Sequence, residues 1–323
     1  MAEDLKAIDA SVAGEHVRLL VEGGLTVSGD TMDDKRAWLQ ANADFLRRSL
    51  LEHGDHCTGM HGALFTEPAS PKTHAGMLFM NPVGFPRISG EALMAAATIA
   101  IDHRIIHVSA DELYLDTPAG VLTATPSLGM RAKGGVGGMQ LTGLAGFVQD
   151  AGVDVEFDGR TVSVDVAFGG EFFAVVDADS IGLPVIQESA FDLVRAAERL
   201  LPAVDRVVQR RRPGLSLMHG AIFTDSLRSP DYVRSATVLG GGLLLRSPGA
   251  ASTIALMALW ESRGSLTDRT FIHESAFGTL LYGTVFARQV VEGRRIIVPT
   301  IESPVAMIGS CVLGRGEWPV RSE

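Results

Sequence analysis

The chain contains one short motif twice, as MHGALFTE at residues 60–67 and as MHGAIFTD at residues 218–225. The copies differ only by conservative exchanges, which indicates one structural unit built twice. Each copy is followed by an apolar strand, a tight turn and a helical run rich in Ala and Leu, at 92–101 and 250–260. The repeat predicts that two helix N-termini meet between the halves. Such termini suit a carboxylate-bearing ligand, and two ordinary core helices are the alternative.

Composition describes a globular protein of one or two domains. The 323 residues are 46% hydrophobic and 20% charged, with 36 glycines that indicate many tight turns. The formal net charge is −10, which argues against a nucleic-acid partner. The basic run Arg210-Arg211-Arg212 follows a long helical pattern and precedes Pro213, so we interpret it as a helix C-terminus rather than an anion-binding patch.

The sequence also predicts a cytoplasmic location. No basic segment followed by an apolar one stands at residues 1–20, and the longest apolar stretches are too short to cross a bilayer. The two cysteines, Cys57 and Cys311, fit a reducing compartment and provide no disulfide framework. We therefore expect no membrane association.

Hydrophobic periodicity predicts an α+β protein of two similar lobes. Two long amphipathic helices are expected at 33–53, capped by Asp30, Thr31 or Asp33, and at 189–210. Alternating patterns separated by turn residues predict strands between and after them. The expected strands are 17–21, 76–80, 105–110, 113–116, 121–125, 153–157, 161–168, 236–239, 243–245, 279–285, 295–299 and 306–312.

Several motifs occur in a characteristic order along nearly the whole chain. They include Gly14-Glu15, TMDDKR at 31–36, LDTPAG at 115–120, VAFGG at 166–170 and Arg246-Ser247-Pro248. In this order and spacing the chain resembles the proline racemase superfamily of racemases, hydroxyproline epimerases and trans-3-hydroxyproline dehydratases.

The resemblance implies a duplicated fold like that of diaminopimelate epimerase. Each lobe is expected to be a β-barrel-like sheet around a central helix, with the active-site cleft between the lobes. We expect the first lobe at 1–125, joined by C-terminal strands at 295–323, and the second at 126–294. No cofactor and no metal are implied.

Several catalytic and binding residues of the family are replaced in this sequence. Its racemases use two thiolates on opposite faces of the substrate α-carbon. The first thiolate lies in an MCGH turn that reads ISGE here, so Ser89 replaces the cysteine and Glu91 the histidine. The second lies in DRSPCGTGT, which reads LRSPGAAST at 245–253, so Gly249 replaces the cysteine and Leu245 an amine-binding aspartate. Two-thiol racemization is therefore not expected.

Glu91 and Ser89 are the catalytic candidates that remain. Glu91 follows the turn glycine at a predicted helix start, where an apolar wall such as Leu245 would raise the pKa of its carboxyl toward a useful range. The alternative is an ordinary first-turn acid favoured by the helix dipole. Ser89 is expected to donate a hydrogen bond to substrate, or simply to cap the helix.

The remaining candidates concern binding. We expect the amides near Gly90, Ala250 and Ala251 to hold a substrate carboxylate, with Leu245, Gly249, His61 and Cys57 lining the site. His61 and His219 stand at equivalent points of the repeat, one at each lobe's edge of the cleft. The sequence HGDHC at 53–57, with His61, also resembles a zinc-ligand cluster, but a core or loop role is favoured.

Two functions stay open. The first is a cofactor-independent lyase or isomerase that moves protons on one face of a cyclic imino acid or related small carboxylate, as a trans-3-hydroxyproline dehydratase would. The second is a degenerate homologue that binds a small molecule or a protein partner without turnover. We favour the enzyme, and a homodimer is left open.

Overall fold

The computed structural model describes residues 4–23, 25–51, 59–106, 112–130, 135–225 and 229–313. Two helices, α3 (Gly90–Asp102) and α5 (Ala250–Ser262), form the centres of the fold. Both are apolar on every side and almost completely buried, as expected for helices enclosed by other structure. Their small residues, mostly alanines, let strands approach from all directions. Each helix is therefore the axis of one lobe.

The first lobe is a closed barrel of eight strands around α3. Residues 300–313 of the last strand close it, pairing with the barrel's first and last strands. The other strands are β1 (Leu5–Val12), β2 (Glu15–Glu22), β3 (His61–Thr66), β4 (Ala75–Met80), β5 (Leu113–Thr117), β6 (Gly120–Pro126) and β7 (Gly138–Thr142).

The second lobe repeats this barrel around α5. Its strands are β8 (Gly146–Phe157), β9 (Arg160–Phe168), β10 (Phe172–Asp177), β11 (Gly220–Thr224), β12 (Tyr232–Leu239), β14 (Phe271–Ser275), β15 (Leu280–Val291) and the first part of β16 (Arg294–Leu313). The short strand β13 (Leu243–Leu244) pairs only with β12. Strand β16 closes both barrels, because it pairs with β15 and β8 before it reaches β7 and β1.

The repeated motif occupies the same place in both barrels. Strand β3 runs parallel to β2 and antiparallel to β4, and β11 runs parallel to β10 and antiparallel to β12. The α+β, two-lobe barrel fold expected from the sequence is confirmed. The expected lobe boundaries stay a proposal; within the first barrel, β7 pairs with β6 although it lies beyond residue 125.

Helices also cover the outside of each barrel. The predicted helix at 33–53 is two helices, α1 (Met32–Asn42) and α2 (Asp44–Leu51), because Ala43 leaves the helical region at φ −137°. Thr31 is the cap of α1, in a reciprocal capping box with Asp34. The second predicted helix is confirmed as α4 (Ala190–Arg211).

Two strand predictions differ from the structure. The expected strands at 295–299 and 306–312 are one strand of twenty residues, β16. The expected strand at 105–110 does not start at Ile105, because Arg104 turns the chain with a φ of 55° and the Ile105 amide donates to the Ala100 carbonyl, 2.9 Å away. Residues 107–110 lie outside the described ranges. Among the described helices, none is both long and apolar enough to span a membrane.

Candidate active site

The two central helices meet end to end at the junction of the barrels. A Cβ atom on Gly90, the first residue of α3, would overlap the Cβ of Ala250, the first residue of α5. Glycine is therefore required at this position for the helix ends to approach so closely. Both N-termini face one region, as the repeat predicts, and their unpaired amides and dipoles make it electropositive.

Two adjoining cavities lie at this junction. The inner chamber has a volume of about 30 Å³ and is bounded at its ends by the first turns of α3 and α5. The outer cleft has a volume of about 390 Å³ and shares Asn81, Pro86, His219 and Leu239 with it. We define the inner chamber by six of its lining residues, which are His61, Ser89, Glu91, Leu245, Gly249 and Ser252.

Glu91 points across the lobe boundary. Its Oε1 accepts hydrogen bonds from the Ala250 amide at 2.8 Å and from the Ser247 hydroxyl at 2.9 Å. The side chain is buried, and burial raises the pKa of Glu91; the neighbouring Glu15 carboxyl raises it further, against the opposing effects of His61 and Ser247. Glu91 thus holds the first amide of α5, one of the amides that the sequence suggested for a substrate carboxylate.

Glu15 is a second buried carboxyl beside the first. Its Oε1 accepts from the backbone amides of Arg246 and Ser247, the latter at 2.9 Å. Burial raises the pKa of Glu15 to about 7, although these two hydrogen bonds act in the opposite direction. A carboxyl with such a pKa can both give and take a proton near neutrality.

Ser89 and His61 form a hydrogen-bonded pair next to Glu15. The Ser89 Oγ lies 3.1 Å from His61 Nδ1, and the His61 Nε2 lies 3.9 Å from Glu15 Oε2. Ser89 is also the N-cap of α3, where its Oγ accepts from the Ala92 amide at 3.4 Å. Burial lowers the pKa of His61, which favours the neutral imidazole over the imidazolium. Ser89 therefore has the capping role that the sequence offered, and its hydrogen bond to a substrate stays a prediction.

His219 approaches the chamber from the second lobe. It lines both cavities and packs edge-on against Phe173, with ring centroids 5.7 Å apart. Burial, with a contribution from His61, lowers the pKa of His219 to about 4. The two motif histidines thus line one cavity from opposite lobes, as their positions in the repeat predicted.

The other predicted site residues are placed as follows. Leu245 and Ala251 line the inner chamber, and Leu245 is 6% exposed. Gly249 precedes α5 with a φ of 85°, a left-handed conformation that favours glycine. Cys57, together with the cluster at 53–56, lies outside the described residues. Within the described ranges, no three His, Cys, Asp or Glu side chains are grouped as metal ligands.

Sequence reasoning did not select three residues of this site. Glu15 and Ser247 belong to motifs that were used only to establish the resemblance, and their membership of those motifs was the available signal. Ser252 carried no such signal. It lines the inner chamber, where a Cβ on Gly249 would lie 2.7 Å from its hydroxyl oxygen.

Comparisons with known proteins agree with this fold. The family model for proline racemase matches residues 7–313. Proline racemase A of Trypanosoma cruzi is 30% identical over 302 residues, covering 90% of this chain and 71% of that protein. Trans-3-hydroxy-L-proline dehydratase of Bacillus cereus is 28% identical over 309 residues, covering 94% of this chain and 92% of that protein.

A solved structure shows the same fold. The hydroxyproline epimerase of Agrobacterium vitis, crystallised with trans-4-hydroxy-L-proline, superimposes with a TM-score of 0.84 at 24% identity, covering 96% of this chain and 92% of that one. This chain belongs to the proline racemase family. Its named relatives include both isomerases and a lyase, so family membership supports an enzyme without fixing the reaction.

Proposed function

We propose that this protein is a cofactor-independent lyase or isomerase of a cyclic imino acid or related small carboxylate, acting by proton transfer from one face. The observation that carries the proposal is the buried acid–base cluster of the first lobe. His61, Ser89 and Glu91 line the inner chamber and Glu15 lies next to His61, while Gly249, which lines the same chamber from the second lobe, has no side chain.

The cluster can supply the acid–base chemistry that family racemases obtain from thiolates. An isolated serine does not remove an α-proton, but Ser89 bonds to a neutral imidazole that can take its proton. Glu15, beyond the imidazole, has a pKa of about 7 and can stabilise the imidazolium or supply the proton again. The arrangement resembles a Ser–His–carboxylate relay, with the roles of the two ring nitrogens exchanged.

Glu91 is the second candidate base on the same face. Its raised pKa makes it a stronger base than an ordinary carboxylate, and it lines the chamber. In a dehydration, the base takes the α-proton, the C–H electron pair forms the new double bond and the β-hydroxyl leaves as water with a proton from the cluster. Isomerization would return the proton elsewhere in the substrate instead.

The helix N-termini are our proposed site for the substrate carboxylate. Hydrogen bonding within α5 starts at Thr253, whose amide donates to the Gly249 carbonyl at 2.8 Å. The amides of Ala251 and Ser252 precede it and have no acceptor within the helix. They remain for an anion after Glu91 has taken the Ala250 amide.

One observation favours a second function, a homologue that binds without turnover. Glu91 occupies the first amide of α5 with the chain's own carboxylate, an arrangement that a purely structural residue would also produce. In that case the buried cluster stabilises the lobe junction and transfers no proton.

Proton NMR in D2O tests the proposal. The protein is incubated with L-proline, trans-3-hydroxy-L-proline, trans-4-hydroxy-L-proline and their stereoisomers, and the α-proton signal is followed. Loss of this signal with formation of a pyrroline carboxylate supports a lyase, and exchange with retention supports a one-faced isomerase. Exchange with inversion contradicts the one-faced mechanism.

Two variants serve as controls for that experiment. Glu91→Gln and Ser89→Ala should each slow the exchange about 100-fold or more while circular dichroism shows an unchanged fold. No exchange across the panel, with the wild type folded, would contradict an imino-acid enzyme and favour the binding homologue.

A further inference from the structure

A series of buried hydrogen bonds runs through the second barrel to the start of α5. The Ser235 Oγ lies 2.6 Å from His273 Nε2, and the Thr253 Oγ1 lies 2.8 Å from His273 Nδ1. The Thr253 hydroxyl in turn donates to the Gly249 carbonyl at 2.7 Å. All three side chains are 0% exposed, so bulk water does not compete for these bonds. We call this series, from Ser235 through His273 and Thr253 to the Gly249 carbonyl, the His273 network.

The protons of the His273 network can be assigned because its last acceptor is a carbonyl. The single proton of the Thr253 hydroxyl goes to Gly249, so the hydroxyl oxygen must accept from His273 Nδ1. Burial lowers the pKa of His273 to about 3, so at neutral pH the ring carries one proton, at Nδ1. Nε2 is then an acceptor, and the Ser235 hydroxyl donates to it. Every donor of the network therefore points toward the Gly249 carbonyl.

The His273 network holds a helix start that has no side-chain cap. Gly249, the N-cap of α5, makes no capping hydrogen bond, and at φ 85° and ψ 119° it adopts a conformation that favours glycine. Its carbonyl accepts from the Thr253 amide at 2.8 Å and a second time from the Thr253 hydroxyl. The preceding carbonyl, of Pro248, accepts from Thr237 Oγ1 at 3.1 Å. Side chains of α5 and the barrel thus fix the backbone that a capping residue would otherwise fix.

A peptide whose carbonyl is held also has its amide direction fixed. The Gly249 carbonyl and the Ala250 N–H belong to one planar trans peptide, so they point in opposite directions. While the carbonyl points to Thr253, the Ala250 amide points to Glu91 and donates to its Oε1 at 2.8 Å. The His273 network and the Glu91 carboxylate therefore bind opposite sides of the same peptide.

We propose that His273 is a positioning residue of the candidate active site, which holds the Ala250 amide on Glu91 through Thr253 and the Gly249 peptide. His273 is absent from the lining of both cavities as the described residues define them, so it acts through the backbone and not on a ligand. The inference rests on the proposed function only in its consequence, that a candidate base is kept in place. The positioning itself is measured without turnover.

The tautomer of His273 is the first test. Nitrogen-15 NMR of the full chain labelled at histidine, with the ring assigned by comparison with His273→Asn, distinguishes a proton on Nδ1 from one on Nε2. We expect the proton on Nδ1 at neutral pH. A proton on Nε2 would overturn the proposal, because Nδ1 would then take the Thr253 proton and the Gly249 carbonyl would lose its second donor.

Substitutions at Thr253 test whether the network orients the amide. Thr253→Val keeps the shape of the side chain and removes the hydroxyl, so the bond from Ala250 to Glu91 should weaken. We expect the Ala250 amide proton to resonate upfield of its wild-type position and to exchange with deuterium about tenfold faster. Thr253→Ser keeps the hydroxyl and should restore both properties.

Two substitutions of His273 give the same test without changing α5. The side-chain amide of asparagine reaches the position of Nδ1 and that of glutamine the position of Nε2. His273→Asn therefore keeps a donor for Thr253 and should retain the wild-type Ala250 resonance, whereas His273→Gln should behave like Thr253→Val. This pair decides the question if Thr253→Val does not fold. Equal Ala250 resonances in the two His273 variants would contradict the proposal.

Thr98→Val is the matched control for lost stability. Thr98 is buried in α3 and donates to the Met94 carbonyl at 2.9 Å, the same bond to the fourth preceding residue that Thr253 makes in α5. It should lower the free energy of unfolding and leave the Ala250 resonance unchanged. A resonance that is unchanged in folded Thr253→Val as well overturns the positioning role, whether or not turnover is found. A shifted resonance without any turnover supports the positioning and contradicts only the proposed enzymatic function.

Discussion

The carboxylate of Glu91, in the first turn of α3, accepts a hydrogen bond from the backbone amide of Ala250, the first residue of α5, at 2.8 Å. Gly249, the N-cap of α5, has no side chain and makes no capping hydrogen bond. Glu91 therefore caps a helix of the other lobe. The side chain of Glu91 thereby connects α3 and α5, the central helices of the two barrels.

Removal of this carboxylate should destabilise the protein. Glu91→Ala leaves the Ala250 amide and the Ser247 hydroxyl without their acceptor, and we expect a loss of about 2 kcal/mol in the free energy of unfolding. Glu91→Gln keeps an oxygen acceptor and should stay within about 1 kcal/mol of wild type. Urea unfolding followed by circular dichroism measures both, and equal stability of the two variants would contradict a capping role.

Glu15 should make stability depend on pH. Its folded pKa of about 7 exceeds the ordinary carboxyl value of 4.5, so the folded state holds the proton more tightly. The stabilisation that comes from this tighter proton binding is fully present below pH 4.5 and is lost as the pH rises through 7. Its size is about 1.4 kcal/mol for each unit by which folding raises the pKa. Glu15→Gln retains the acceptor for Arg246 and Ser247 but does not ionise.

As the pH rises from 4.5 to 8, the free energy of unfolding of Glu15→Gln should therefore increase by about 2–3 kcal/mol relative to that of wild type. Urea titrations of both proteins at four pH values in this range measure the difference. The exposed residue change Glu188→Gln is the control and should follow wild type throughout. A constant difference between Glu15→Gln and wild type would show that Glu15 does not titrate in this range.

Ser89 should contribute both to the stability of the protein and to its turnover, and two substitutions separate these contributions. Ser89→Ala removes the cap of α3, which costs about 1 kcal/mol, and removes the partner of His61 Nδ1. We expect turnover of the substrate found by NMR to fall about 100-fold or more. Ser89→Thr retains a hydroxyl and should recover the stability and part of the rate. Recovery of stability without any recovery of rate in this variant would reduce Ser89 to a cap.

The contact between the first residues of α3 and α5 should accommodate one methyl group on either helix, but not on both. Gly90→Ala places a methyl group against the Cβ of Ala250 and should cost about 3 kcal/mol. Ala250→Gly removes that Cβ, so the double variant, with the methyl group moved to the other helix, should regain most of the loss. A double-mutant cycle in urea measures the coupling. Additive effects would show that the helix ends do not touch.

The sequence predicted the architecture well because the repeat and the apolar helices depend on burial alone. The motif at 60–67 and its copy lie on equivalent strands, and the helices expected at 92–101 and 250–260 are the two barrel axes. Errors fell where a single backbone angle decides the outcome. Ala43 breaks one predicted helix, and Arg104 turns the chain before a predicted strand.

The site was less predictable because its bonds join distant parts of the chain. Glu91 was selected, but its partners Ser247 and Ala250 lie in the other lobe, and no local pattern indicates that pairing. Glu15 acquires its raised pKa only through burial in the folded chain. Ser252 required the structure, since its significance depends on the space that Gly249 leaves.

Strand β16 has a consequence for how the chain is made. Its end pairs with β1, so that Leu5 lies opposite Leu313. On the ribosome, the strands from β1 to β7 are complete long before their closing partner is synthesised. The nascent first barrel therefore carries an open edge at β1 throughout translation of the second half, and such edges are prone to pair with other chains. Both barrels therefore close only once β16, the last of the described strands, has been translated.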